Sequence, residues 1–161
     1  MALLNILKKG DDTLRKICKP VTAITPRTLT LLDDMRETLI DSEGVGLAAP
    51  QVGVVRRICL VIDTNDDDRI YELINPEIIA AEGEQEGVEG CLSVPGEWGI
   101  NRRPMKVTVK ALDRNGNEFT VTGEGLTARC FCHEIDHLDG KLYIDVADRM
   151  LTKEEIEELM G

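Results

Sequence analysis

Histidine and aromatic residues are both scarce in this chain. Of its 161 residues only two are histidine, and Phe, Trp and Tyr together make up 3%. Leu, Ile and Val must therefore fill any core. Apolar runs are short, and none approaches the roughly 20 residues that a membrane-spanning helix requires. The opening MALLNILKKGDDTLRK has neither the long apolar stretch nor the small-residue cleavage site of a secretory leader, so a cytoplasmic location is expected. Positive charge is in deficit, with 19 Lys and Arg against 30 Asp and Glu and a formal net charge of -11. A field of that sign works against binding to nucleic-acid phosphates, so no direct nucleic-acid partner and no membrane partner are expected. The sequence has no internal repeat and no low-complexity linker. The five cysteines (Cys18, Cys59, Cys91, Cys130 and Cys132) are odd in number and irregular in spacing. In a reducing compartment such thiols are buried, catalytic or metal-bound rather than bridged.

A hydrophobic content of 42% suits one domain, residues 1–161, with a real core. Residues 5–20 lack a sustained period and predict an extended arm with a short turn. A helix is predicted over 26–42, with Thr25 as cap, Pro26 in the first turn, an apolar stripe of Leu29, Leu32, Met35 and Leu39, and Gly44 as its end. GVGLAAPQVGV (44–54) is too small-sided for an ordinary strand but allows close backbone approach. Strands are predicted at 57–63 and 69–75, separated by a turn at Asn65–Asp68, the second strand closed by Pro76. MKVTVKAL (105–112) alternates, Asn115-Gly116 is a hairpin turn, and 118–123 returns. A second long helix is predicted over 124–138, and the tail LTKEEIEELMG is expected to form a short acidic helix capped at Thr152. The pattern is α+β: mixed or antiparallel strands and hairpins around a buried central helix, with an N-terminal helix and a short acidic C-terminal helix.

The two histidines stand four residues apart in His133-Glu134-Ile135-Asp136-His137, an HExxH pattern. On a helix, residues i and i+4 share a face, so both imidazoles can reach one cation. The carboxylate of Glu134 can then move a proton of a water activated there. A tetrahedral site still lacks a third protein donor, and a catalytic one keeps its fourth position open. Cys91 is the leading candidate, in GVEGCLSVPGEWG, a glycine-flanked stretch expected to be neither helical nor a regular strand. Cys130 is the rival, one helical turn before His133, although helix packing explains it more simply. Asp136 faces elsewhere and is expected to brace the helix. Glu89 beside the cysteine needs a cationic partner if buried, and Arg102 or Arg103 could supply it.

Three segments together resemble the peptide deformylase family: GVGLAAPQ at 44–51, EGCLS at 89–93 and HEIDH at 133–137. The opening NILKKGDDTLRKICKPV is similar to the family's N-terminal arm, and the resemblance covers roughly residues 4–147. It implies removal of the formyl group from the formyl-methionine of newly made proteins, releasing formate. By motif position it implies Cys91, His133 and His137 as metal ligands and Glu134 as the general acid/base. Gln51 and the Leu92 N–H match the donors that stabilise the oxyanion, and the Gly46 backbone matches a substrate-positioning group. Ligand softness alone suggests zinc; the resemblance implies Fe(2+), one per chain, with Zn(2+), Ni(2+) or Co(2+) as substitutes. The methionine side chain needs apolar walls, for which Val45, Leu126, Cys130 and the stem of Arg129 are suited, and Trp98 could cover the mouth of the cleft.

The sequence departs from the family in two places. Cys132 precedes the first histidine where glutamine is usual, placing a second thiol near the metal. The tail is acidic where some members carry a basic ribosome-docking helix, so any proximity to the ribosome is expected to be transient and not tail-mediated. A monomer is expected. The residues also fit two other readings: a zinc peptidase of the HExxH type, and a non-catalytic metal-binding or redox-sensing module.

Overall fold

The computed structural model describes residues 2–160. Helix α1 spans Pro26–Ser42 and starts on a reciprocal cap, in which the Thr25 hydroxyl accepts the Thr28 N–H and the Thr28 hydroxyl accepts the Thr25 N–H. It ends at Glu43 rather than at Gly44: Glu43 takes the left-handed conformation, with φ of 58°. Gly44 serves packing instead, since a Cβ there would lie 3.1 Å from Leu92 Cδ1.

Among the described residues eight strands follow: β1 (Gly46–Ala48), β2 (Ile58–Asp63), β3 (Arg69–Glu82), β4 (Gln85–Cys91), β5 (Val94–Arg103), β6 (Lys106–Leu112), β7 (Glu118–Glu124) and β8 (Arg149–Met150). Helix α2 (Leu126–Leu138) follows β7, and α3 (Lys153–Met160) closes the chain. The strands form two antiparallel sheets, in the orders β1-β2-β3-β6-β7 and β4-β5-β8.

The larger sheet is covered by a helix on each face, and β2 shows how. Successive side chains of a strand point to opposite faces. Ile58 and Leu60 join Leu32, Met35 and Leu39 of α1 in one buried cluster, whereas Cys59 and Val61 join Ala128, Phe131, Ile135 and Leu138 of α2 in another. Burial on both faces explains why RICLVID reads as a continuous apolar run. Each fully buried aliphatic side chain of this kind contributes roughly 1.5–3 kcal/mol. Helix α2 also packs on β1, β6, β7 and β5, so it joins the large sheet to the small one.

Four sequence expectations need correction. The 44–54 segment does contribute a strand: Gly46, Leu47 and Ala48 pair with Val61, Leu60 and Cys59. β3 does not stop at Pro76 but runs on to Glu82. A bulge lies there: Asn75 has φ of 52° and its side-chain amide exchanges hydrogen bonds with the Val21 backbone at 2.8 and 2.9 Å, so the proline N, which cannot donate, falls at a break in the ladder with β6. The glycine-rich stretch around Cys91 is a hairpin of β4 and β5, regular from Gln85/Arg103 to Glu89/Gly99 and irregular only at Cys91/Val94. Helix α2 begins at Leu126 rather than 124, because β7 keeps Glu124 in the ladder opposite Lys106.

The arm is as expected from its sequence, with a 3₁₀ turn at Asp12–Arg15 capped by Asp11. It also ties two distant loops together: the Leu7 N–H donates to the Gln51 carbonyl and the Lys9 N–H to the Ser93 carbonyl, both at 2.7 Å. The acidic tail forms α3, where the Thr152 hydroxyl accepts the Glu155 N–H and the Glu155 carboxylate accepts the Thr152 N–H. None of the described residues of α3 is buried. Among the described residues, no helix is long and apolar enough to cross a membrane.

Candidate active site

Helix α2 is buried along almost its whole length and carries both histidines, their ring centroids 5.0 Å apart. Cys91, the last residue of β4, approaches from the small sheet. Donor atoms of Cys91, His133 and His137 all lie within 4.8 Å of one another, and Cys91 Sγ is 3.3 Å from His137 Nε2. Among the described residues this is the one group of three such side chains so arranged. Cys130 and Cys132 do not join it. Both thiols are buried against the core, and burial pushes Cys130 far above the usual thiol range and Cys132 up to about 11. Neither supplies a ready thiolate.

The donor set suits a metal ion. His133 Nδ1 lies 2.6 Å from Glu89 Oε2, and a proton on Nδ1 leaves the Nε2 lone pair free to face the cluster. One sulfur and two ring nitrogens make three protein donors, the number a catalytic site uses when it keeps a position open. With no ion bound, burial and the neighbouring imidazole keep His137 neutral. Burial pulls His133 the same way, but Glu134, Cys91 and Glu89 outweigh it and favour its cation.

Glu89 is the hub beneath this cluster. Its Oε1 accepts from Arg103 Nε at 3.1 Å and Arg129 Nη1 at 3.2 Å, and its Oε2 accepts from Arg103 Nη2 at 2.7 Å as well as facing His133. Burial alone would raise the Glu89 carboxyl; its bonds to His133 and Arg103 reverse that and hold it at about 2. Arg103 is thus the partner that Glu89 requires, while Arg102 pairs with Asp148 at the surface. Asp136 braces the helix as expected, accepting from Arg103 Nη1 at 2.9 Å.

Glu134 lies deep beside the donors. Burial pushes its carboxyl up to about 7, opposed by the attraction of His133 and reinforced by the negative Glu89. Its Oε1 is buried and has no hydrogen-bond partner among the described residues. A carboxyl of that strength can exchange a proton near neutrality. Gly46 makes its placement possible: a Cβ on residue 46 would overlap the Glu134 carboxylate. This is the close approach that the small-sided 44–54 segment allows.

Gln51 is held in one orientation. Its Oε1 accepts the Ala48 N–H at 2.9 Å, which turns the amide nitrogen toward Ser93 Oγ at 3.0 Å and Cys91 Sγ at 3.6 Å. Sequence reasoning missed Ser93, whose signal was its place two residues after Cys91 in EGCLS. It also missed Tyr143, which stacks on His133 with centroids 5.9 Å apart and donates its hydroxyl to the Glu97 carbonyl.

A cleft of about 480 Å³ opens over these groups, within the range of small-molecule sites. Gln51, Cys91, Leu92, His133 and Glu134 lie along it, and His137 is buried behind them. Val45, Gly46, Arg129, Cys130 and Trp98 line the rest, with Leu126 at the rim and 45% exposed. The Trp98 ring packs so closely over Gly90 that a Cβ there would overlap it. The structure therefore brings the expected ligand, acid/base, oxyanion and substrate-wall residues to one place, while Arg102 lies outside it at the surface.

The family described as polypeptide deformylase matches residues 3–153. A peptide deformylase of Thermoanaerobacter pseudethanolicus is 54% identical over 99% of this chain and 98% of its own length. The crystal structure of a peptide deformylase from Legionella pneumophila superposes with a TM-score of 0.86 at 44% identity, covering 98% of this chain and 95% of that one. The Met-Ala-Ser-bound class I type b peptide deformylase of Acinetobacter baumannii gives a TM-score of 0.84 at 35% identity, covering 89% of this chain and 98% of that one.

Proposed function

This chain belongs to the polypeptide deformylase family, and on that premise we propose that Cys91, His133 and His137 hold the catalytic metal while Glu134 moves the protons. The enzyme removes the N-formyl group from the amino terminus of nascent peptides. The observation that carries the site assignment is the convergence of one thiol and two imidazoles at the floor of a cleft, beside the buried carboxyl of Glu134.

A divalent ion held by Cys91, His133 and His137 would supply Lewis acidity to the attacking water and the formyl group. Glu134 accepts the proton that the attacking water gives up, then delivers it to the amine that leaves. Negative charge grows on the formyl oxygen as the carbon becomes tetrahedral. The Gln51 amide, held by Ala48 and Ser93, and the Leu92 N–H at the hairpin turn donate to that oxygen. Losing one such donor typically costs on the order of a hundredfold in rate. The Gly46 backbone orients the peptide, and Val45, Leu126, Cys130, Trp98 and the stem of Arg129 receive the methionine side chain. A Met-Ala-Ser peptide bound to the Acinetobacter baumannii relative supports a short methionyl peptide as the ligand of this cleft.

The resident ion is Fe(2+), with Zn(2+), Ni(2+) or Co(2+) able to replace it. The protein acts as a monomer of one domain. It works in the cytoplasm and meets formylated peptides without docking its acidic tail on the ribosome. The peptidase and sensor readings lose ground to the family membership. Formate release from formyl-Met-Ala-Ser, with metal analysis of anaerobically purified protein, tests the assignment. Glu134→Ala should keep the metal and lose turnover by orders of magnitude. Full activity in that variant would overturn the role of Glu134.

A further inference from the structure

We propose that Arg129 is a positioning residue that ties the cysteine-bearing hairpin to the histidine-bearing helix, its stem walling the cleft and its guanidinium fixing Glu89 under His133. The inference rests on the reading of Cys91, His133 and His137 as metal ligands.

Arg129 stands one helical turn before His133 on α2 and is only 6% exposed. An apolar wall does not need a guanidinium, and burying one is costly unless its donors are satisfied. Here they are spent on the other sheet. Nη1 lies 3.2 Å from Glu89 Oε1 and 3.4 Å from the Asn101 carbonyl, and Nη2 lies 3.4 Å from Gln85 Oε1. Gln85, Gly87 and Glu89 alternate along β4 and so share one face. Gly87 leaves the space that the group fills, since a Cβ there would lie 2.7 Å from Arg129 Nη2. One planar fork therefore spans the strand that ends in Cys91, and no single-point cation could do the same.

Charge neutralisation does not explain the arrangement, because Arg103 already bonds both oxygens of Glu89. What Arg129 adds is the fourth partner. With two neighbours on each oxygen, the carboxylate cannot turn, and the acceptor for His133 Nδ1 stays in place. The same side chain lines the cleft, so the wall that receives substrate and the group that orients a metal ligand are one residue.

Arg129→Met keeps the apolar stem and removes the fork, and Arg129→Lys keeps the charge with a single point of donation. Both are loaded with cobalt. Cobalt release to EDTA is followed by its visible absorption, and kcat and KM are measured on formyl-Met-Ala-Ser. Outer-sphere partners of metal-bound histidines typically change metal affinity by 10–100-fold. Glu89 retains its other partners, so the effect should fall at the lower end. We expect Arg129→Met to release cobalt about tenfold faster and to lose about tenfold in kcat, with KM changed by less than about twofold because the wall is kept. Arg129→Lys should lie between it and the parent. Release and kcat equal to the parent in both variants, or a change confined to KM, would overturn the proposal. If Arg129→Met does not fold, Arg129→Lys alone decides it, and parental release and kcat there would overturn it. A parent protein that does not bind cobalt through Cys91 would instead overturn the metal-site reading itself.

Discussion

Replacing Gly46 with alanine adds one methyl group against the Glu134 carboxylate in the cleft. The position has no need of a left-handed backbone, so the substitution does not strain β1. The three atoms nearest the new Cβ all belong to Glu134: its Oε2, its Cδ at 2.8 Å and its Cγ at 2.9 Å. Ordinary carbon contacts begin at 3.4 Å. The carboxylate must therefore withdraw, by roughly half an ångström at its carbons and about 1 Å at its oxygen, and a displacement of that size at reacting groups costs about a hundredfold in rate. That corresponds to roughly 2.7 kcal/mol of transition-state stabilisation. Overpacking should also lower stability by about 1–3 kcal/mol. The assay is formate release from formyl-Met-Ala-Ser, with kcat and KM separated and metal content measured on the same sample. Gly46→Ala should retain the metal and cooperative unfolding, lose about a hundredfold in kcat, and change KM little. Parental kcat in a metal-replete, folded variant would refute the claim that residue 46 leaves room for a working Glu134.

Three further outcomes are expected. In metal-free protein the Glu134 carboxyl sits at about 7 against an ordinary 4.5, so folding favours its protonated form, and stability present below pH 4.5 is lost as pH rises through 7. Glu134→Gln escapes that loss and should be more stable than the metal-free parent at pH 8 by on the order of 2–3 kcal/mol, with no gain at pH 4; denaturant titrations that run parallel at both pH values would contradict this. Deleting residues 152–161 removes a helix with no buried described residue, so ribosome cosedimentation should be unchanged and a clear fall would count against the reading of the tail. The iron-loaded enzyme should lose activity in air and be partly protected by a reductant, because a ferrous ion beside the Cys91 thiolate is open to oxidation; equal half-lives in air and under argon would rule this out.

The sequence reveals the site better than the frame that holds it. Helical spacing is a local property, so His133 and His137 could be placed on one face, with Glu134 next to the first of them, without tertiary information, and the Thr25 cap and the Asn115-Gly116 turn are equally local. β4 was missed because Gln85, Gly87 and Glu89 spend their shared face on a buried guanidinium and a carboxylate instead of an apolar core. Such a strand has no hydrophobic alternation to read. β3 was cut short because Pro76 normally ends a ladder, and only the bulge at Asn75, anchored on Val21, shows why it does not. The stapling of Gln51 and Ser93 by the arm depends on backbone atoms, which carry no sequence signal. Glu89 was suspected, but its full set of partners needs three elements to meet.

X-ray absorption at the metal edge of anaerobically purified enzyme addresses the central claim most directly. It should show one sulfur and two imidazole nitrogens around a single ion per chain, with the sulfur contribution abolished in Cys91→Ser. A spectrum without sulfur in the parent protein, or one unchanged by that substitution, would contradict it.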